Sequence, residues 1–363
     1  MKIGILGAGQ LGRMLALAGF PLDLDFVFLD PAEEACAAPL GHHLRAAFED
    51  ERALHELCVA VDVVTYEFEN VSAASAAFVA ARVPLFPTPL ALTAGQDRAN
   101  EKALFAQLGI PVPKTATVDS LAELKAAVAH IGLPAVLKTR RLGYDGKGQA
   151  VLRVAQDLDG AWQKLGAQPL ILEEFIPFER ELSCLAVRGQ DGAMRFYPLV
   201  RNAHRDGILR TAIPTVDDPM QALGEDYARR VAEHLGYVGV LAFEFFVANG
   251  GLLANEIAPR VHNSGHWSIE GAEVSQFENH IRAVAGLPLG STALRGRSAT
   301  VNLIGRAPPT ADLAAMPGVH VHLYGKTPKP QRKIGHVNVT ASSADELAER
   351  LTLVQALVAQ YED

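Results

Sequence analysis

The first ninety or so residues alternate short β-rich apolar runs, KIGIL, FVFLD, VDVVTY and PLF, with Ala- and Leu-rich stretches of helical period. That alternation predicts βαβ units around a parallel sheet. FPTPLAL closes this region with prolines, and DRANEKALFAQLGI then reads as a helix ended by Gly109 and by the prolines of IPVPK. A second domain is expected to begin there. Residues 120–131 read as a helix with Ser120 and Glu123 as a capping box, followed by the strand AVLKTRR. Strands then dominate: QAVLRV, LILEEF, ELSCLAVRG, RFYPLV, LRTAIP, VLAFEFFVA and LLANEIA, with helices near 220–235 and 276–285. This half is expected to be α+β and mostly antiparallel. Past GSTALRGRS, the tail offers TVNLI, VHVHLYG and KIGHVNVT. A final helix, capped by Ser343 and Glu346, places Leu347, Leu351, Val354 and Val358 on one face.

Composition narrows the classes. A chain of 363 residues has room for two or three domains, and 49% apolar with 20% charged residues describes an ordinary globular protein. The net charge of −8 argues against an extended basic face for nucleic acid or anionic membrane. The N-terminal apolar stretch is interrupted by Gln10 and Arg13, and YVGVLAFEFFVANGGLLA carries Glu244 and a turn, so no signal peptide or membrane span is expected. Cys36, Cys58 and Cys184 are too few and too scattered for a disulfide framework or a zinc site, which fits a reducing cytoplasm.

Four stretches carry candidate chemistry. GAGQLGRM places Gly7, Gly9 and Gly12 in a G-x-G-x-x-G turn after a strand, with Asp30 about 20 residues on, where a dinucleotide's ribose would be held. In FEFFVANGGLLANEIA, a tight hairpin centred on Gly250 makes Glu244 and Glu256 cross-strand partners. Facing carboxylates about 5 Å apart repel by roughly 3 kcal/mol at an effective dielectric of 20. A divalent hard cation relieves that repulsion, although an ordinary hairpin with solvated glutamates has the same spacing.

LKTRRLGYDGKGQ puts Lys138 and Arg140 on one strand face ahead of a loop with Gly143, Gly146 and Gly148 that suits phosphate, or else is a plain flexible turn. It lacks the Walker A order. LILEEFIPFERELS reads either as an extended segment offering its backbone to an adenine edge or as an edge strand with solvated glutamates. ANEIAPRVHNSGHW crowds Asn255, Glu256, Arg260, His262, Asn263, Ser264 and His266 together. A histidine metal site is the rival reading, weakened by the absence of a regular run to fix His262 and His266.

Taken in order, GAGQLGRM, YEFENV, LKTRRLGYDGKGQ, LEEFIPFERELS, HRDGILRT, GYVGVLAFEFF, NEIAPRVHNSGH and RKIGHVNV closely resemble the 5-(carboxyamino)imidazole ribonucleotide synthetases, ATP-grasp enzymes of purine biosynthesis. The resemblance implies α/β and α+β architecture: a Rossmann-like pre-ATP-grasp domain over 1–95, an ATP-grasp domain over 96–295 with a smaller lobe at about 112–175, and a small C-terminal domain over 296–363. It implies ATP-dependent carboxylation of 5-aminoimidazole ribonucleotide by bicarbonate through carboxyphosphate, with Mg²⁺ or Mn²⁺, in a homodimer whose product passes to a mutase.

By motif, Arg98 and Lys138 would contact ATP phosphates beneath a loop of Gly143, Tyr144, Asp145, Gly146, Lys147, Gly148 and Gln149. Glu173, Glu174, Phe175 and Ile176 would form the adenine linker and Glu181 the ribose acceptor, with His204 and Asn255 as further nucleotide contacts. Glu244 and Glu256 would hold the metal, Glu256 also lying on the nucleotide side. Arg260, His262, Asn263 and Ser264 would line bicarbonate and the moving phosphoryl group, and Tyr144, Asp145 and Lys147 the reactive centre. Gln10, Leu11, Glu67, Glu69, Lys326, Arg332 and Lys333 would take the ribonucleotide. One departure is Ala258, where many ATP-grasp enzymes place an Asn ligand, so the third metal ligand stays open. Three other functions remain in view: a formate-using glycinamide ribonucleotide transformylase, a nicotinamide-dependent oxidoreductase built on GAGQLGRM, and a non-catalytic nucleotide-binding partner.

Overall fold

Strands β1 (Lys2–Leu6), β2 (Asp25–Leu29), β3 (His42–Leu44) and β4 (Val63–Tyr66) form a parallel sheet in the order β3-β2-β1-β4. The central pair is buried on both faces, which is why KIGIL and DFVFL read as nearly continuous apolar runs. β3 had no counterpart among the expected strands, since HHL is short and polar. The computed structural model describes residues 1–143, 146–166 and 168–362.

A second sheet, β5 (Thr115–Val118), β6 (Ala135–Thr139), β7 (Gln149–Leu152) and β8 (Leu170–Glu174), is antiparallel in the order β5-β8-β6-β7. It forms a small lobe with its own core of Val118, Leu124, Leu137, Leu158 and Leu172.

The third sheet carries the rest of the molecule. β9 (Arg180–Arg188), β11 (Val200–Arg205), β12 (Ile208–Pro214), β13 (Gly239–Ala248), β14 (Gly251–Ala258), β15 (Arg297–Ile304), β16 (Val319–Leu323) and β17 (Lys333–Ala341) run β14-β13-β9-β11-β12-β15-β17-β16, with β10 (Met194–Phe196) beside β9. RFYPLV, expected as one strand, is split by Tyr197, Pro198 and Leu199 between β10 and β11. The tail builds no sheet of its own: β15 pairs with β12 through Thr211↔Val301, so the last strands extend the central sheet. The helix Ala344–Ala359 covers them, with Leu347, Val354 and Val358 buried as its pattern predicts.

The first domain and the central sheet share one core. Leu15 and Phe26 belong to the same buried cluster as Trp267, Phe277 and Ile281. His280 bolts the two together, with Thr65 Oγ1 2.9 Å from its Nε2 and the Val240 N–H donating to its Nδ1 at 3.0 Å. The small lobe's separate core leaves a cleft between it and this larger body.

Candidate active site

The glycine turn at the N-terminus is already filled. Glu67, just beyond β4, reaches back so that its carboxylate accepts the Gly9 N–H and, at 2.6 Å, the Gly12 N–H. All three glycines exist for this approach: a Cβ at Gly7, in left-handed backbone at φ +108°, would collide with the Glu67 side chain. One at Gly9 would lie 2.6 Å from Glu67 Oε1 and one at Gly12 3.3 Å from Oε2. Asp30 accepts the Ala8 N–H at 2.8 Å and the Ala32 N–H at 2.7 Å, so it ties down the loop and is not a ribose acceptor. A dinucleotide pyrophosphate would need the position Glu67 holds. The oxidoreductase reading is corrected here.

Glu244 on β13 and Glu256 on β14 are cross-strand partners, as expected, but by a different route. The turn is centred between Asn249 and Gly250, both left-handed at φ 52° and 74°, and Ala248 pairs with Gly251. That register holds through Phe245↔Ala254, and a β-bulge at Asn255 then shifts it by one residue to Glu244↔Glu256. Burial, then the Glu256 charge, raises the Glu244 pKa to about 7. Burial also works against the Glu256 carboxylate, but Arg98, 2.6 Å away, and Lys138 outweigh it and hold that pKa at about 2. His262 Nε2 lies 3.5 Å from Glu244, and burial pushes its pKa down to about 3, keeping the imidazole neutral.

Arg98 opens a helix, Arg98–Gln107, capped by Asp97. The same Asp97 carboxylate receives Arg140 in a two-pronged pair at 3.0 and 2.8 Å, tying the lobe to this helix. Lys138 on β6 is held at 2.5 Å by Glu173, which is 2% exposed. The expected adenine linker spans the end of a strand and the residues just past it. Glu173 and Glu174 belong to β8, between β5 and β6, and the Glu174 side chain accepts the Lys114 N–H at 3.3 Å. Phe175 is the first residue past the strand and lines the cleft, whereas Ile176 does not. Gly143, Gly146, Lys147 and Gln149 line it too, while Gly148 packs against Thr139. Tyr144 and Asp145 lie outside the described residues.

The cleft measures about 1020 Å³. On one wall His204 pairs with Glu181, and this bond together with the Glu244 charge raises the His204 pKa against the opposing effect of burial. Arg260 grips Glu69 with two nitrogens, so a residue expected at the phosphoryl group and one expected at the ribonucleotide bind each other. Asn263 exchanges amide hydrogen bonds with Asn302 at 2.9 and 2.6 Å. Ser264 is corrected from the lining to the support, fully buried with its hydroxyl 2.9 Å from His262 Nδ1. At the far end Lys326 meets Gln10, next to Leu11, with Arg332 and Lys333 beside it.

Some residues lining or backing the cleft escaped the sequence. Phe178 and Phe246 stack at 4.8 Å and, with Val136 and Val151, make an apolar wall. Glu101 and the buried Lys102 were missed as well, although charges at 98, 101 and 102 share a helix face with Phe105, a position where apolar residues belong.

The family comparisons cover most of the chain. The ribonucleotide synthetase preATP-grasp domain matches residues 1–96, the ATP-grasp domain 103–277 and the phosphoribosylaminoimidazole carboxylase C-terminal domain 298–350. The N5-carboxyaminoimidazole ribonucleotide synthase of Pseudomonas aeruginosa is 57% identical over 99% of both chains. The chain belongs to the N5-carboxyaminoimidazole ribonucleotide synthase family.

Solved structures of this family superpose closely. The synthetase from Thermus thermophilus has 52% identity and a TM-score of 0.94, covering 98% of each chain. The Aspergillus clavatus enzyme, in complex with ADP and 5-aminoimidazole ribonucleotide, has 30% identity and a TM-score of 0.92, covering 99% of this chain and 98% of that one. Membership in the N5-carboxyaminoimidazole ribonucleotide synthase family makes the chain an ATP-dependent ligase with an ATP-grasp domain, and it fits the architecture of preATP-grasp sheet, two-lobed centre and C-terminal extension seen here. Among the described residues no helix is long and apolar enough to cross a membrane.

Proposed function

We propose that the chain carboxylates the exocyclic amine of 5-aminoimidazole ribonucleotide with bicarbonate, converting ATP to ADP and phosphate. The observation that carries this is the facing pair Glu244 and Glu256, with Arg98 and Lys138 on one side and Arg260, Lys326, Arg332 and Lys333 on the other. One cleft thus offers cationic contacts for a triphosphate and, separately, for a ribonucleotide phosphate.

The donor set fits a hard divalent cation. Two half-buried carboxylates face each other, and Asn255 Oδ1 beside them is buried without a hydrogen-bond partner. Glu244 and Glu256 would hold Mg²⁺, which when bound neutralises charge on the phosphates. The chain's own groups do the remaining work. Val136, Phe175, Phe178 and Phe246 would enclose the adenine, and Glu181 and His204 would face its ribose. Arg98 and Lys138 would orient the β- and γ-phosphates, Arg98 exchanging its Glu256 contact for them.

A bicarbonate oxygen then attacks the γ-phosphorus, the bond to the ADP oxygen breaks, and carboxyphosphate forms. The amine nitrogen attacks its carbonyl carbon, phosphate leaves and the nitrogen loses a proton. Arg260 and Asn263 would steady the carboxyl oxygens, and the neutral His262, whose Nδ1 accepts the Ser264 N–H, would present its Nε2–H as a donor. Gln10, Leu11, Glu67 and Glu69 would border the aminoimidazole, and Lys326, Arg332 and Lys333 the 5′-phosphate.

Phosphate release measured with each substrate withheld in turn is the test. Turnover is expected to require both the ribonucleotide and bicarbonate, to refuse formate in its place, and to collapse in Glu256→Gln. Full turnover in that variant, or release without bicarbonate, refutes the proposal.

A further inference from the structure

Lys102 does not line the cleft, yet it is the most deeply buried cation around it, with a side chain 3% exposed. An ammonium group in a protein interior is costly unless its donors are used. Lys102 Nζ donates to the carbonyls of Asn255 and, at 3.4 Å, Ala254, and lies 3.8 Å from Glu173 Oε1. The first two partners are consecutive carbonyls of one strand. In regular β structure such carbonyls point to opposite edges, so a single amine reaches both only where the strand is kinked. Here the kink is the bulge at Asn255.

The neighbouring residue grips the other side. Glu101 Oε1 accepts the Ile257 N–H at 2.6 Å. Successive residues of one helix thus bracket Glu256: Lys102 holds the carbonyls before it and Glu101 the N–H after it. Without the bulge Glu244 would oppose Asn255.

We propose that Lys102, seconded by Glu101, is a positioning residue that locks the β14 bulge and so presents Glu256 opposite Glu244 for the divalent cation. This rests on the reading of those two glutamates as the cation site. Lys102 also touches Glu173, which holds Lys138, so the same amine ties the metal position to the phosphate position.

Mn²⁺ binding to the full chain in the presence of ADP, followed by the spectroscopic signal of free Mn²⁺, separates these roles. Outer contacts of this kind are worth about ten- to a hundredfold in metal affinity, and Lys102→Met is expected to lose that much. Lys102→Gln, whose amide still donates to a carbonyl, is expected to lose less. Glu173→Gln leaves the amine at the bulge, so it is expected to raise the KM for ATP while the loss of Mn²⁺ affinity at saturating ADP stays well short of that in Lys102→Met. Wild-type Mn²⁺ affinity in Lys102→Met, or an equal loss in Glu173→Gln, overturns the proposal. Should Lys102→Met fail to fold by circular dichroism, Lys102→Gln against Glu173→Gln decides by the same criteria. Equal Mn²⁺ binding by the wild type and Glu256→Gln would instead remove the cation site itself, and the proposal with it.

Discussion

Glu244 and Glu256 face each other across β13 and β14 because Asn255 is one residue more than the partner strand can pair. Position is therefore expected to matter more than charge. The double exchange Asn255→Glu with Glu256→Asn keeps the composition and net charge but moves the carboxylate by one place. It should cost about 10²–10³ in kcat, the scale of losing one transition-state electrostatic contact. Steady-state phosphate release checks this, and activity within tenfold of wild type, roughly 1.4 kcal/mol, would show that the facing register is dispensable.

Glu67 satisfies two backbone N–H groups of the glycine turn with two carboxylate oxygens. Glu67→Gln offers one acceptor oxygen and sets an NH₂ against the other donor. The expected loss is about 1–3 kcal/mol, the cost of leaving a buried donor unpaired, read as a Tm lower by several degrees in thermal unfolding.

Lys326, on the segment between β16 and β17, joins Gln10 of the first domain across the far end of the cleft. If that end takes the ribonucleotide phosphate, Lys326→Met should raise the KM for 5-aminoimidazole ribonucleotide by about 10- to 150-fold, equivalent to a charged hydrogen bond of roughly 1.5–3 kcal/mol. The KM for ATP should stay constant. Initial-rate kinetics with each substrate varied distinguishes this from a general loss of folding.

Stability is expected to fall on mild acidification. Burial lowers the pKa of His280 to about 3 and drives those of His266 and His336 well below the ordinary histidine value of 6.5. In the unfolded chain these imidazoles take up protons as pH drops through about 6.5, while in the native state they do not. Their contribution is intact above that pH and is lost progressively toward the folded pKa, at up to about 1.4 kcal/mol per pH unit for each group. Urea unfolding at pH 7.5, 6 and 5 measures the slope, and His280→Gln should reduce it by one proton's worth.

Much of this was legible in the chain because it rests on local signals. Three of the four parallel N-terminal strands, the caps at Ser120 and Ser343 and the buried face of the last helix follow from short-range pattern. Even there the capping glutamates reach one residue further than a capping box requires: Glu123 accepts the Asp119 N–H and Glu346 that of Ser342. The facing glutamates were found from a turn centre placed half a residue too far along, an error that the bulge cancels. A bulge leaves almost no trace in composition, since it is held by Lys102 and Glu101 from 153 and 156 residues away. Ser264, Glu173 and Glu174 carry site-like chemistry in the sequence, but their orientations are set by long-range packing. The attachment of the C-terminal strands to the central sheet was not legible, because Thr211↔Val301 pairing joins segments that no local pattern connects.

The filled glycine turn has a consequence for ligand competition. Glu67 is a tethered rival for any free anion, and attachment to the same chain gives such groups effective concentrations in the millimolar range or above. A dinucleotide would have to outbid a competitor that never diffuses away and would expel its charge into a buried space. The first domain thereby keeps the rigidity of a nucleotide-binding turn while reserving its anion hole for itself, leaving Gln10 and Leu11 as the face it turns toward the cleft.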